Sequence, residues 1–567
     1  VRRTLATLAA ALLACATPTR TPTSTSPPAA QAPASQAPAS QALGPRASDA
    51  WWNGAVFYEV FVRSFEDSDG DGVGDLRGLI EKLDYLNDGD PSTTTDLGVD
   101  ALWLMPVFAS PSYHGYDTTD YETVNPAYGT NADLERLVAE AHRRGMKVIV
   151  DLVVNHTSDQ HPWFREARSS PGAPHRGWYV WRADDPGWTQ PWNPGQGTWY
   201  RAAGGYYYAL FWSGMPDLDW RNPAVRAELG RIATRWLSRG VDGFRLDAVR
   251  YLVEDGPGLQ ADRPDTHRYL KELSATVRAA RPDAALVGEA WADTFTIADY
   301  YGDTAAVPGG DELPLLFDFP LAAAIVNGVN DGSGETVAAT LAEVLRTYPK
   351  GAADAPFLTN HDQARIATQV GNRTEKLKVA AAILLTLPGA PFIYYGEEVG
   401  MQNGPGPADE WKRTPMAWDA TPGAGFTSGT PWMELAPGHA TANVAAETGD
   451  PASLLSRYRD FVRARHASPA LRRGELALLE PGHRGVLAFT RTAPGEAVLV
   501  VHNLSGNAVT TRPLAAGGAA AEPLLVDPGA TATPGAQGWT VALPPRSSGV
   551  WRLREAPPRA DPGAAGR

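Results

Sequence analysis

A chain of 567 residues, 43% hydrophobic and 20% charged, is too long for one ordinary domain and has the balance of a soluble globular protein. Its net charge of −14 argues against nucleic acid as a partner and gives no attraction to an anionic membrane surface. The single cysteine, Cys15, excludes an intrachain disulfide.

Cys15 follows a leader-like stretch. Arg2 and Arg3 form a basic start, and residues 5–14 an apolar run too short to span a bilayer. The run ends in Leu12-Leu13-Ala14 just before the cysteine. Residues 1–15 thus resemble a bacterial lipoprotein signal with lipidation at Cys15; an ordinary secretory signal is the alternative. Residues 16–50, rich in Pro, Ala, Ser, Thr and Gln, predict a disordered tether. The expectation is an exported monomer, lipid-anchored to the cell envelope or released, that meets a membrane only through its anchor.

Folded sequence starts at Trp51-Trp52. Residues 55–61 and 101–106 read as buried strands, and 131–144 as a helix that Gly145 stops before a third strand at 148–154. Asn222-Pro223 begins a helix that Gly240 ends ahead of a strand at 243–248. Helices at 265–281 and 335–348 stop at Pro282 and Pro349, a helix at 376–387 precedes a strand at 391–395, and 313–319 completes eight strands. From 157 to 214 this alternation breaks, and the stretch holds seven of the 18 tryptophans, the sign of a functional loop or small subdomain. Its rings either stack on sugar faces or pack its own core, with one or two expected to face a ligand. After a helix at 454–465, short runs such as 485–490 and 497–502 predict an antiparallel sandwich. The predicted architecture is an α/β fold: a (β/α)8 TIM barrel over 51–156 and 215–452, an inserted subdomain at 157–214, and a C-terminal antiparallel β-sandwich at 453–556.

Four barrel segments end in polar residues: Asp151-Leu-Val-Val-Asn-His156, Gly243-Phe-Arg-Leu-Asp-Ala248, Leu286-Val-Gly-Glu-Ala-Trp291 and Phe357-Leu-Thr-Asn-His-Asp362. A parallel barrel gathers its C-terminal strand ends at one face, where Asp247, Glu289 and Asp362 would meet. Three carboxylates in one cleft are a pattern for glycoside hydrolysis. Arg245 and Asp247, two apart on a strand, point to the same side, and the cation favours an ionised Asp247 fit to act as nucleophile. Apolar surroundings would keep Glu289 protonated as a general acid. His361 and Asp362 could hold sugar hydroxyls and stabilise an oxocarbenium-like state.

The four segments resemble, in order and content, the conserved regions of the α-amylase superfamily, glycoside hydrolase family 13. The resemblance implies a retaining mechanism with Asp247 as nucleophile, Glu289 as acid/base and Asp362 as stabiliser. It also implies a sugar subsite lined by Arg245, His156 and His361. Tyr113-His-Gly-Tyr116 resembles the α-amylase pattern in which the tyrosine stacks on a sugar and the histidine bonds its hydroxyl, giving Tyr113, His114 and Tyr116 as substrate residues. Exo-acting relatives usually have Asp where Tyr113 stands. Met215-Pro-Asp-Leu-Asp-Trp220 resembles neopullulanases and an intermediate amylase group, with Asp219 where Asn is usual. Asn155-His-Thr-Ser-Asp159 and Arg413-Thr-Pro-Met-Ala-Trp418 resemble the oligo-1,6-glucosidase side.

The loop Asp67-Ser-Asp-Gly-Asp-Gly-Val-Gly-Asp75 places oxygens at alternate positions, so Asp67, Asp69, Asp71, Asp75 and the Val73 carbonyl suit Ca²⁺. A plain acidic turn is the alternative, and Gly78 at the twelfth position excludes an EF-hand. The expected function is endo-hydrolysis of α-1,4 bonds in starch and maltooligosaccharides. A neopullulanase, cyclomaltodextrinase or 4-α-glucanotransferase on the same site is one alternative, and a non-catalytic glucan-binding lipoprotein another.

Overall fold

The computed structural model describes residues 50–555. The predicted leader with Cys15 and the tether up to residue 49 lie outside the described residues. Eight parallel strands form the central sheet: β1 (Phe57–Val60), β2 (Ala101–Leu104), β3 (Lys147–Leu152), β4 (Gly243–Leu246), β5 (Ala285–Gly288), β6 (Leu315–Phe317), β7 (Ala353–Ala355) and β8 (Phe392–Tyr394). Pairing runs β7-β6-β5-β4-β3-β2-β1-β8. One parallel bridge between Phe357 and Phe392 joins the two ends, so the sheet closes into a (β/α)8 barrel.

Among the helices that cover it are α1 (Leu76–Glu81), α2 (Asn131–Arg143), α3 (Pro223–Ser238), α4 (Pro264–Ala280), α5 (Phe319–Asp331), α6 (Gly334–Thr347) and α7 (Thr374–Thr386). Local chemistry sets their ends. Thr130 and Asp133 form a reciprocal capping box on α2, and Asn222 caps α3 with Pro223 in its first turn. Two expectations shift. The strand expected at 313–319 stops at Phe317 because Asp318 accepts the Leu321 N–H at 2.8 Å and starts α5, a helix absent from the sequence reading. β7 lies at 353–355 rather than at 357 onward, because Pro356 has no N–H with which to continue a ladder.

Inside the barrel, Phe57, Trp103, Phe317 and Phe392 fill a lumen whose other positions include Ala101, Ala285, Ala353 and Ala355. Phe57 stacks on Phe392 at 4.4 Å between centroids. The small residues make room for the rings, which is how a barrel interior reaches core density. At the foot of β4, a Cβ on Gly243 would meet the Ala285 carbonyl at 2.0 Å, so only glycine fits there.

The stretch 157–214 carries a three-stranded antiparallel sheet (Trp181–Arg182, Trp199–Ala202, Gly205–Tyr208) with the last strand central. Five of its tryptophans pack among one another and their aromatic neighbours, as in Trp163–Trp178 at 4.7 Å and Trp188–Trp199 at 5.3 Å. Trp192 and Trp212 remain half exposed, at 50% and 49%.

After the barrel, α8 (Leu454–His466) leads to a five-stranded antiparallel sheet facing a three-stranded one. Val486, Leu499, Val501, Trp539, Val541 and Trp551 pack between them. Two fully buried arginines tie this sandwich to the barrel without any carboxylate partner. Arg465 on α8 donates to the carbonyls of Leu385 (3.1 Å), Leu387 (2.7 Å) and Gly389 (2.5 Å). Arg491 donates to those of Thr386 (2.6 Å) and Gly474 (2.8 Å). The carbonyls at the C-terminus of α7 carry the negative end of its dipole, which suits a cation. Arg465→Met should lower the thermal midpoint by several degrees in calorimetry, since each buried carbonyl left unpaired costs about 1–3 kcal/mol. An unchanged midpoint would mean that water replaces the guanidinium there.

Candidate active site

Towards the C-terminal ends of the strands the lumen turns polar. Asp151 on β3 and Arg245 on β4 are register partners, as are Glu59 on β1 and Trp103 on β2, and all four are buried. The period-two alternation that puts Phe57 in the lumen puts Glu59 there as well. Arg245, with no exposed surface, donates through Nη1 to Asp247 Oδ1 at 2.7 Å and to Asp151 at 3.0 and 3.1 Å. Its Nη2 lies 2.8 Å from Glu289 Oε2. Thus one guanidinium holds carboxylates from three consecutive strand ends.

Asp247 follows β4, and Glu289 follows β5. Between them the backbone is strained: Ala248 has φ +50° and ψ +38°, a region that non-glycine residues rarely occupy. Its N–H donates to Glu289 Oε2 at 3.0 Å. Burial dominates the Glu289 carboxyl and pushes it up to about 8 against the pull of Arg245, so it stays largely protonated at neutral pH. Asp151 is likewise pushed up by burial, to about 7, although Arg245 opposes the rise.

Asp362 has the opposite environment. Burial disfavours its charge, but His361 (Nε2–Oδ2 3.2 Å) and Arg413 (Nη2–Oδ1 2.8 Å) outweigh that and hold it well below the usual carboxylate range. Three acids meeting at one face are therefore held differently: Glu289 as a neutral acid, Asp362 as a firmly ionised carboxylate, and Asp247 against a guanidinium.

All three open into a cleft of about 820 Å³ whose wall includes Tyr113, His114, Tyr116 and His156. Arg245 and His361, expected to line a sugar subsite, instead stand behind that wall, fully enclosed by lumen neighbours. Burial lowers His156 to about 4, so it is neutral. The two half-exposed tryptophans of the insert, Trp192 and Trp212, also line the cleft, as do Tyr251 after β4 and Trp291 after β5. Tyr113 stacks on Trp432 (5.7 Å, 26° between planes) and lies 5.7 Å from the Arg413 guanidinium.

Several of these residues were not among the expected site residues. Asp151 stands in a quoted segment but reads as an ordinary strand residue. Arg413 stands in another segment without a role. Glu59 is missed altogether. The available signal was its own polarity: a carboxylate inside the apolar run Phe57-Tyr-Glu-Val-Phe61 has to face something.

In the acidic loop, Asp67, Asp69 and Asp71 bring carboxylate oxygens within 4.8 Å of one another. Among the described residues none of the three is in an ion pair. Hydrogen bonds from Thr427 and from the N–H groups of Gly72, Gly70 and Asp69 hold Asp67 below its ordinary range despite burial. Three hard anionic oxygens with no balancing cation fit Ca²⁺. Asp75 departs from the expected set. Its carboxylate caps α1, accepting from the N–H groups of Arg77 (2.8 Å), Gly78 (2.9 Å) and Ser68 (2.9 Å), and it stands outside the cluster. The Val73 N–H is turned to Asp71 Oδ1 at 2.7 Å. Gly72 (φ +95°) sits so close to the 427–432 segment that a Cβ would meet the Thr430 carbonyl at 2.0 Å.

Residues 59–474 match the family described as alpha amylase, catalytic domain, and residues 476–550 match the maltogenic amylase C-terminal domain. Alpha-amylase 3 of Dictyoglomus thermophilum is 41% identical over 465 residues, covering 81% of this chain and 86% of the relative. An oligo-1,6-glucosidase of Heyndrickxia coagulans is 35% identical over 529 residues, covering 81% and 93%. The crystal structure of an α-amylase from H. orenii superposes with a TM-score of 0.79 at 38% identity, covering 88% of this chain and 99% of that one.

The left-handed residue beside Glu289 gives a test of the local geometry. Ala248→Val puts a β-branched side chain at positive φ and should destabilise the fold by about 1–2 kcal/mol in thermal unfolding, whereas Ala248→Gly should not. Equal stability of the two variants would show that this backbone relaxes.

Proposed function

Since this chain belongs to the α-amylase family, glycoside hydrolase family 13, we propose that it is a retaining, endo-acting hydrolase of α-1,4-glucosidic bonds in starch and maltooligosaccharides. The observation that carries this reading is the sharing of Arg245 by Asp247 and Glu289. Two carboxyl groups on neighbouring nitrogens of one guanidinium are compatible with the short spacing of about 5–5.5 Å used by retaining enzymes.

In this reading Asp247 attacks the anomeric carbon while Glu289 protonates the departing glycosidic oxygen. Water, deprotonated by Glu289, then attacks the glycosyl–Asp247 ester and releases the sugar with its anomeric configuration retained. Burial keeps Glu289 protonated at neutral pH, so its acid role is lost as pH rises through about 8. Asp362, ionised throughout, faces the positive charge that develops on the ring.

Endo action is supported by Tyr113. A carboxylate there, with Arg413 beside it, would form a polar grip suited to a terminal sugar's free hydroxyls, whereas a tyrosine ring offers a stacking face that a continuing chain can pass. The half-exposed Trp192 and Trp212 add stacking faces for further sugar units. A second reading is favoured by Arg413, which lies in the segment resembling the oligo-1,6-glucosidase side and binds Asp362 directly. Under it, short α-1,6-linked oligosaccharides would be the better substrates. Ca²⁺, held by Asp67, Asp69 and Asp71, would neutralise their mutual repulsion and keep the loop against the 427–432 segment. Export with a lipid anchor at Cys15 completes the reading on sequence grounds alone.

Product analysis over time separates the possibilities. Soluble starch should lose iodine colour early with little free glucose, and Asp247→Asn, Glu289→Gln and Asp362→Asn should each lower kcat by several orders of magnitude without unfolding the protein. Glucose as the dominant first product would replace the endo reading by an exo one. Faster turnover of isomaltose-type substrates would favour the α-1,6 reading, and of pullulan or cyclodextrins a neopullulanase or cyclomaltodextrinase.

Calcium is tested separately by melting the protein with and without chelator. A ligand bound only to the native state stabilises it by mass action, so chelation should lower the midpoint. Asp69→Ala combined with Asp71→Ala should abolish that sensitivity. Identical curves, on protein first shown to be metal-free, would remove the metal from the loop.

A further inference from the structure

We propose that Glu59 is a positioning residue of this active site: seated on Nδ1 of His361, its carboxylate keeps that imidazole doubly protonated, so that Nε2 donates toward Asp362 and Tyr116. The functional consequence rests on Asp362 being the transition-state stabiliser; the protonation state does not.

Glu59 comes from β1 and is 1% exposed. Its Oε1 lies 2.6 Å from His361 Nδ1, and among the described residues no lysine or arginine pairs with it. A buried carboxylate of this kind is tolerable only if its one partner carries the compensating charge. The other ring nitrogen faces acceptors too: Asp362 Oδ2 at 3.2 Å and Tyr116 Oη at 2.7 Å. A neutral imidazole has one N–H and can satisfy only one of these two sides, whereas an imidazolium satisfies both.

The surrounding hydrogen bonds have one consistent direction under this assignment. Tyr116 donates its O–H to Asp151 Oδ2 at 3.1 Å and accepts from Arg245 Nη1 at 3.3 Å, leaving a lone pair for the His361 Nε2–H. Were Nε2 unprotonated, the Tyr116 O–H would have to turn to it, Asp151 would lose a donor, and two lone pairs would face each other across the contact with Asp362. The charged groups around His361 are Glu59, Asp362 and, beyond Tyr116, Asp151 on the acidic side. On the basic side stand Arg245 and, across Asp362, Arg413; Tyr394 lies beside Glu59. Burial alone would lower the imidazole, but Asp362 and Glu59 reverse that and raise it to about 9.

The imidazolium fixes what Asp362 can do. With Oδ2 toward His361 and Oδ1 toward Arg413, the carboxylate is gripped at both oxygens and its plane is set. Glu59 touches neither Asp362 nor the cleft, and acts only through the ring it charges.

The test is Glu59→Gln, which keeps size and a hydrogen-bonding head but removes the charge. In the wild type, nitrogen NMR of the His361 ring, assigned by its loss in His361→Gln, should show both nitrogens protonated at neutral pH and one released only near pH 9. In Glu59→Gln the release should move acidward by at least a unit. On starch, kcat should fall about tenfold or more (roughly 1.4 kcal/mol of barrier) with KM little changed. The alkaline limb, set near 8 by Glu289 in the wild type, should shift acidward with it. A singly protonated ring in the wild type at neutral pH overturns the proposal whether or not the variant folds. So does a Glu59→Gln enzyme with unaltered ring titration. Full activity in Asp362→Asn would instead remove the stabiliser reading while leaving the ring assignment standing.

Discussion

Arg245 is enclosed on every side, and its charge is tolerable only because Asp151, Asp247 and Glu289 surround it. The converse holds as well. Three carboxyl groups brought to one barrel rim cannot all stay charged in a site shielded from water: Glu289 keeps its proton, and the guanidinium holds the negative charge that remains. Its burial behind the cleft wall follows from that task. A planar fork with several N–H groups can reach three strand ends at once, which a lysine ammonium could not do in fixed geometry. Charge changes at any of the four are consequently felt by the other three, so the effects of substitutions in this quartet are not additive.

The site divides its acids by surroundings rather than by residue type. Glu289 gains protons because burial outweighs one shared cation. Asp362 loses them because two cationic groups outweigh burial. The same folded rim thus supplies a proton donor and a permanent anion within one cleft, the separation that acid-and-charge catalysis at a sugar centre requires.

Much of this was legible in the sequence because the informative residues interrupt strong patterns. Asp247 and Glu289 each close a mainly apolar run, Asp362 closes the polar group Thr359-Asn-His-Asp362 after one, and the helix stops at Gly145, Gly240 and Pro282 set the rhythm of the barrel. What escaped was information carried across the lumen. Glu59 and Asp151 sit within strands, and their partners come from elsewhere around the closed barrel, His361 from the segment after β7 and Arg245 from β4. No spacing along the chain announces such a pairing. Asp318 and Asp75 escaped for a local reason: an aspartate before a helix reads equally well as a strand end or a metal ligand until its backbone partners are known. In the insert, composition signalled tryptophan-rich function, but only two of its seven indoles line the cleft, because a small subdomain needs most of them for its own core.

The way the barrel closes also bears on how the chain acquires its structure. β1 pairs on one side with β2, its near neighbour in sequence, and on the other with β8, where Phe57 meets Phe392. The first strand therefore keeps an open edge until more than three hundred further residues have followed it. Only then can Glu59 find His361 and the lumen exclude water. A nascent chain emerging from the ribosome carries an unsealed sheet and an unpaired acidic residue through most of its synthesis. Contacts so remote in sequence make folding slow and leave intermediates open to aggregation. For such a chain the site is complete only once β8 has closed against β1.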